Sequence, residues 1–299
     1  MRFVSLQQNN CFSIGVVINE ANEIVNLNEA QTIMKTENPL PNSLIDCLER
    51  EDFLKEVSNL LEWIEKNQLK QCTYQWDTVQ VVAPIPRPRK NIFCVGKNYA
   101  AHAIEMGSAA DIPSNPMIFS KTPTTVTGPN AFIDSHSELT KELDYEGEIA
   151  VIIGKTGKNI QKDEVEDYIF GYTLVNDVTA RDLQRKHKQF LLGKSLDTSC
   201  PMGPWITHKS EIENPDELFL QTKVNGEIRQ AASTNQFIFD IPTIIETISK
   251  GTTLEIGDII ATGTPAGVGS GFTPPKHLKP GDVIEISVKE LGTLRNTVR

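Results

Sequence analysis

The first part of the chain alternates polar and apolar positions and then changes period. Phe3-Val4-Ser5-Leu6, Phe12-Ser13-Ile14-Gly15-Val16-Val17-Ile18 and, after a polar turn, Glu23-Ile24-Val25-Asn26-Leu27 read as strands. Leu54, Val57, Leu61 and Ile64 then recur at spacings of three and four, with Leu60 beside them, which predicts a helix with one apolar face. The run Pro84-Ile85-Pro86-Arg87-Pro88 cannot be helical and has few backbone donors, so it reads as an extended connector. This pattern places a small N-terminal α+β domain at 1–83, the connector at 84–90 and a larger domain at 91–299.

Beyond the connector the pattern becomes short apolar runs punctuated by Gly and Pro: Asn91–Gly96, Glu148–Gly154, Phe170–Val175, Asp258–Gly263 and Asp282–Val288. Helical candidates are few, near 163–168, 179–189 and Ile241–Lys250, the last with Pro242 in its first turn. Regular strand–helix alternation is missing, which argues against a doubly wound sheet. The expected fold is α+β and β-rich, a roll or barrel-like core with peripheral helices.

Composition narrows the class. Of 299 residues, 39% are hydrophobic and 23% charged, as in an ordinary soluble globular protein. The net charge of -10 argues against phosphate-backbone binding, so no nucleic-acid partner is expected, and Arg185-Lys186-His187-Lys188 reads as the wet face of a helix. No apolar run reaches the ~18 residues of a membrane span, and Met1–Asn10 lacks the apolar core of a signal peptide. The five cysteines (Cys11, Cys47, Cys72, Cys94, Cys200) form no C-x-x-C pair and read as buried free thiols. The expectation is a soluble cytoplasmic protein.

Three groups of residues could carry chemistry. Asp144-Tyr145-Glu146-Gly147-Glu148 runs into an apolar strand, where Glu146 and Glu148 point to one face. Adjacent carboxylates there either bind a hard divalent cation or form a solvated acidic strand end. Asp177 ends another apolar strand, as a third ligand or as the cap of a helix beginning near Val178. His102 and Glu105, three apart on a helix, can pair as a base and its holder or as a surface contact. Lys194 follows an apolar run, and the glycines of Gly263–Gly271 suit a tight loop whose N–H groups could meet a small anion. Gly154-Lys155-Thr156 is not a phosphate loop, because Ile149 stands where the first glycine is needed.

Taken in order, these segments resemble the fumarylacetoacetate hydrolase family. The match is carried by Gly96-Lys97-Asn98-Tyr99 with His102 and Glu105, Asp144–Glu148, Asn176–Asp182, Gly193-Lys194-Ser195, Val224–Gln230 and Gly257–Pro265, from about residue 90 to the end. Within the family the chain is most similar to the acylpyruvase and oxaloacetate decarboxylase branch, in a bacterial form with an extra N-terminal domain. The resemblance implies a mixed β-sandwich roll, a homodimer, and Mg²⁺ or Mn²⁺ held by Glu146, Glu148 and Asp177. It also implies His102 and Glu105 as a catalytic dyad on a mobile lid and Lys194 as the cation at the substrate's keto-acid end. Gln184, at a position that meets the lid, Arg181, and Thr264 in the glycine-rich loop fall on the substrate side. The activity implied is metal-dependent C–C cleavage of a small β-keto acid. Oxaloacetate decarboxylation comes first, then acylpyruvate or fumarylpyruvate hydrolysis. A sensor that keeps the fold without turnover is the rival, and the N-terminal domain could serve a protein partner.

Overall fold

The computed structural model describes residues 1–19 and 23–299. Three strands open the chain, β1 (Arg2–Gln8), β2 (Cys11–Ile18) and β3 (Glu23–Asn26), each antiparallel to the next. The strand expected to run to Leu27 stops at Asn26, whose side chain accepts the Glu29 N–H and caps α1 (Leu27–Met34). After α2 (Leu44–Leu48) comes α3 (Phe53–Lys66), the helix that the spacing predicts; it buries Phe53, Val57, Leu60 and Ile64. Two short strands, β4 (Thr73–Gln75) and β5 (Gln80–Val82), lead to the proline-rich connector.

From there the chain forms β6 (Ile92–Gly96), α4 (Ala100–Glu105), β7 (Met117–Lys121), β8 (Val126–Thr127), β9 (Phe132–Ile133), β10 (Leu143–Asp144) and β11 (Gly147–Ile153). Next come α5 (Val165–Tyr168), β12 (Ile169–Asn176), β13 (Thr179–Ala180), α6 (Arg181–His187), α7 (Leu191–Lys194) and β14 (Cys200–His208). The chain ends in β15 (Phe219–Val224), β16 (Glu227–Ser233), α8 (Ile241–Ser249), β17 (Ile259–Ala261), β18 (Val283–Val288) and β19 (Gly292–Val298).

The strands assemble into one large sheet, one smaller sheet and a two-stranded pair of β10 with β13. The large sheet runs β4-β3-β2-β1-β14-β12-β11-β17-β6-β7, with β5 added to β1 and β8 to β14. Its N-terminal strands join the rest where β1 meets β14, Arg2 opposite Thr207 and Phe3 opposite Ile206. The smaller sheet runs β16-β15-β18-β19-β9. Mixed pairing, layered sheets and few helices make this the β-rich α+β architecture expected from the pattern.

Strand β11 is buried along its whole length, and its two faces serve different cores. Ile149, Val151 and Ile153 pack toward the smaller sheet and α8, against Ile284, Ile286 and Ile245. Ala150 and Ile152 face the opposite way, into a core shared with Phe3, Ile14, Val57 and Leu60 of the N-terminal segment. Glu148 has the same parity as Ala150 and Ile152, so the acidic positions begin where that second face runs out of apolar cover. At Gly147 the sheets touch: a Cβ there would overlap Thr222 Oγ1.

Candidate active site

The three acids converge. Glu146, Glu148 and Asp177 each present an oxygen within 4.8 Å of the others, and all three are buried. Glu146 and Glu148 are brought there by the entry into β11, and Asp177 by the end of β12, with Gly147 opposite Asn176 in the ladder. Asn176 locks the junction by accepting the Glu146 N–H at 3.0 Å, while Asp177 N–H donates to Glu146 O at 2.8 Å. Asp177 is not a helix cap. Helix α6 starts four residues later, and the Asp177 carboxylate faces lysines instead.

Three buried cations balance part of this charge. Lys194 Nζ lies 2.5 Å from Glu146 and 2.7 Å from Asp177. Arg181 Nη2 is 2.7 Å from the other Glu146 oxygen, and its Nε donates to Asp144 at 2.9 Å. Lys121, from the end of β7, sits 2.8 Å from Asp177 Oδ1, off the hydrogen-bonding direction, and donates to Val178 O and Lys194 O. Four buried carboxylates, counting Asp144, thus face three cations. Burial alone would raise the Glu146 carboxyl, but Lys194, Arg181 and His102 hold it down at about 2. Glu148 is driven the other way, well above the usual carboxylate range, by burial and by Asp177 and Glu146. Among the described residues its only aligned donor is the Gly263 N–H at 2.8 Å.

This arrangement fits a divalent cation. The donors are all carboxylate oxygens, and among the described residues Asp177 Oδ1 lacks an aligned donor and Glu148 lacks a cation of its own. The chemistry of the donor set matches a hard ion such as Mg²⁺ or Mn²⁺. Thiol chemistry is excluded, since burial pushes Cys94 up and Cys200 to about 12. Of the five cysteines, four are buried free thiols as expected, whereas Cys11 is exposed on the outer part of the sheet.

A cavity of about 340 Å³ opens over the acids. His102 lines it from α4, with Nδ1 3.3 Å from Glu105 Oε2, which leaves Nε2 for the cavity. Glu105 is anchored in turn by the Gly267 N–H at 2.8 Å. Gln184 and Thr264 also line the cavity, and Gln184 Oε1 accepts from Arg181 at 3.4 Å. The Thr264 hydroxyl donates to Gly147 O and accepts from Gln230 Nε2, so it is already committed within the protein. All nine residues that the sequence singled out therefore fall in or directly beneath one cavity.

Two expectations need correction. The N–H groups of the glycine-rich loop do meet anions, but these are the protein's own carboxylates. Gly263 serves Glu148, Gly267 serves Glu105, and Gly269 and Ser270 serve Asp144 at 2.6 and 3.0 Å. The basic run on α6 is exposed as expected, yet Arg185 and Lys188 also line the cavity. Three residues escaped notice: Lys121, Asp144 as the tie between loop and Arg181, and Gln230 as the brace between Gly147 and Thr264. Lys121 carries one signal in the sequence, because it ends an apolar strand just as the acids do.

Comparison with known proteins gives the chain relatives over its whole length. The model of the fumarylacetoacetate hydrolase C-terminal family matches residues 91–299. An oxaloacetate tautomerase of Bacillus subtilis, YisK, is 52% identical over 301 residues and 100% of both chains. Among solved structures, a fumarylacetoacetate hydrolase from Exiguobacterium antarcticum is 37% identical with a TM-score of 0.82, covering 100% of this chain and 99% of that one. A maleylpyruvate hydrolase from Sphingobium, in complex with manganese(II) and pyruvate, is 29% identical with a TM-score of 0.75, covering 100% and 98%.

Proposed function

The chain belongs to the fumarylacetoacetate hydrolase family, and from that premise we propose that it is a divalent-metal-dependent enzyme moving a proton at C3 of oxaloacetate, interconverting its keto and enol forms. The observation that carries this reading is the position of His102. Its ring is fixed by Glu105 and faces a cavity whose floor is the acidic triad with Lys194. A similar chain is named for the same chemistry.

Glu146, Glu148 and Asp177 would hold a divalent ion, which would supply Lewis-acid stabilisation of negative charge on the C2 oxygen. The residues of the chain do the rest. His102 Nε2 takes the C3 proton while the C2 oxygen takes one from solvent to complete the enol, and Glu105 steadies the ring as it becomes positive. Lys194 places a fixed positive charge beside the developing enolate, and Glu146 and Asp177 keep that lysine charged by raising its pKa against the effect of burial. Arg181, tied to Asp144, keeps Glu146 ionised and in place. Decarboxylation, put first by the sequence, would break the C3–C4 bond instead, with CO₂ leaving the enolate of pyruvate and a protonated His102 donating a proton to its C3. Hydrolysis of an acylpyruvate would use the same imidazole to activate water.

The test follows the enol of oxaloacetate by ultraviolet absorbance while CO₂ and pyruvate are assayed in the same sample, with Mg²⁺ or Mn²⁺ and with chelator. Metal-dependent loss of the enol without CO₂ is expected, and His102→Ala lowers its rate by ~10²–10⁴. Stoichiometric CO₂ release would make decarboxylation the reaction. An undiminished rate in His102→Ala would remove the imidazole from it.

A further inference from the structure

The cavity is cationic although the chain is not. The net charge is -10, yet Lys97, Arg181, Arg185, Lys188 and Lys194 line the cavity against only two carboxylates, Glu146 and Glu148. Four of these cations are already engaged: Arg181 and Lys194 by the acids of the floor, Lys97 by Asp111 at 3.3 Å, and Arg185 by Glu142 at 2.6 Å. Lys188 differs from them. Among the described residues no carboxylate pairs with its ammonium, and it stands at the outer part of the cavity.

Its backbone is fixed in an unusual way. Lys188 has φ 61° and ψ -41°, and Gln189 N–H donates to His187 O at 2.6 Å across it. This is a γ-turn of the hand that strains any residue bearing a Cβ, and such a turn persists only where its surroundings over-determine it. Here they do so. A Cβ on Gly193 would meet Gln184 N at 2.7 Å and Ala180 O at 2.9 Å, so α7 is seated directly on α6 and the link between them must be tight. Phe190 closes the link by packing edge-on against Phe119, ring centroids 5.5 Å apart. One rigid wall therefore carries Lys194 at the floor of the cavity and Lys188 at its mouth.

We propose that Lys188 receives the distal carboxylate of a short dicarboxylic 2-oxo acid, and so selects a doubly charged substrate over 2-oxo acids with a neutral far end. The inference rests on the reaction proposed above. The 2-oxo acid end belongs at the floor, among the acids and Lys194. The other end of a four-carbon diacid then faces the mouth, where the uncommitted cation stands. General attraction by the rim would favour any anion; a contact at Lys188 discriminates by the distal charge.

The experiment compares oxaloacetate with its 4-methyl ester, which keeps the enolisable C3 and lacks the distal charge, on the Mg²⁺-loaded full chain. Lys188→Ala raises KM for oxaloacetate about tenfold at similar kcat and lowers the preference over the ester by the same factor, as loss of one charge-assisted contact predicts. Lys188→Arg restores that preference. Lys186→Ala removes a neighbouring charge that does not line the cavity, and keeps the preference. An unchanged preference in Lys188→Ala, an equal loss on both substrates, or an equal loss in Lys186→Ala overturns the proposal. Inhibitors separate it from the reaction itself. Oxalate, which has no distal group, binds the wild type and Lys188→Ala alike, whereas malate binds Lys188→Ala about tenfold more weakly. If the wild type transforms neither substrate, the reaction reading fails, and the malate-to-oxalate comparison still decides the role of Lys188.

Discussion

Two regions of this protein are equally dry and are held together in opposite ways. Between the sheets, Ile149, Val151, Ile284, Ile286 and α8 make a core whose stability adds up from many small contacts. On the other side of β11, Glu146, Glu148 and Asp177 with Lys121, Arg181 and Lys194 make an ionic cluster in which every partner is needed to offset the burial of another. The apolar core degrades gradually when trimmed. The ionic cluster has no spare partner, and with Asp144 it sets four carboxylates against three cations. Gly147 stands between the two, with one sheet pressed against its missing side chain and an acid of the triad on either side of it in the chain.

The sharpest break in the comparison comes from removing a ligand. Glu148→Ala is expected to weaken Mg²⁺ or Mn²⁺ binding by more than the ~10–100-fold that loss of an outer partner causes, and to abolish turnover; calorimetry with near-unchanged affinity would take Glu148 out of the site. Lys121→Met leaves Asp177 with one cation fewer in a dry place, so metal-free protein should lose ~3–5 kcal/mol in urea unfolding. Saturating Mg²⁺ should recover part of that loss, because the ion supplies the missing positive charge. In the apolar core, Ile286→Val is expected to cost ~0.5–1.5 kcal/mol while metal affinity stays the same. Metal affinity that fell in parallel would mean that the two regions are not separable.

A comparably small effect lies at the join with the N-terminal strands. His208 donates its N–H to Met1 O, and its ring packs against Phe170 at 5.1 Å. Burial, the neighbouring amino terminus and Lys209 hold this imidazole down from 6.5 to about 4. The unfolded chain therefore takes up the proton first. Stability present at neutral pH is lost as pH falls from about 6.5 to about 4. For a half-buried ring this amounts to ~1 kcal/mol after solvent screening. His208→Gln should flatten the slope of unfolding free energy against pH over that window, and an unchanged slope would place the titration elsewhere.

What the sequence made legible follows from the range of each interaction. Strands β11 and β12 stand out because apolar runs end abruptly in acids, and α3 because its period is local. His102 and Glu105 are three residues apart and readable as a pair. Lys121 looks like any strand-terminal lysine until Asp177, far along the chain, is placed beside it. Asp144 is similar, since its role depends on Arg181 and on Gly269 and Ser270, which no spacing brings together. The glycine-rich loop is recognisable as a donor of N–H groups, but its acceptors come from two distant segments, at Glu105 and at Asp144–Glu148, and a pattern read along the chain cannot pair them.

The pairing of β1 with β14 also bears on how copies of the chain avoid one another. A chain cut at the proline-rich connector would lose the strand that covers β14 and the helices that cover Ala150, Ile152 and Phe170. The remaining sheet would show an open row of backbone donors and acceptors flanked by apolar side chains, which is a template for self-association. Removal of the N-terminal segment should therefore be seen first in solubility rather than in the chemistry of the acids.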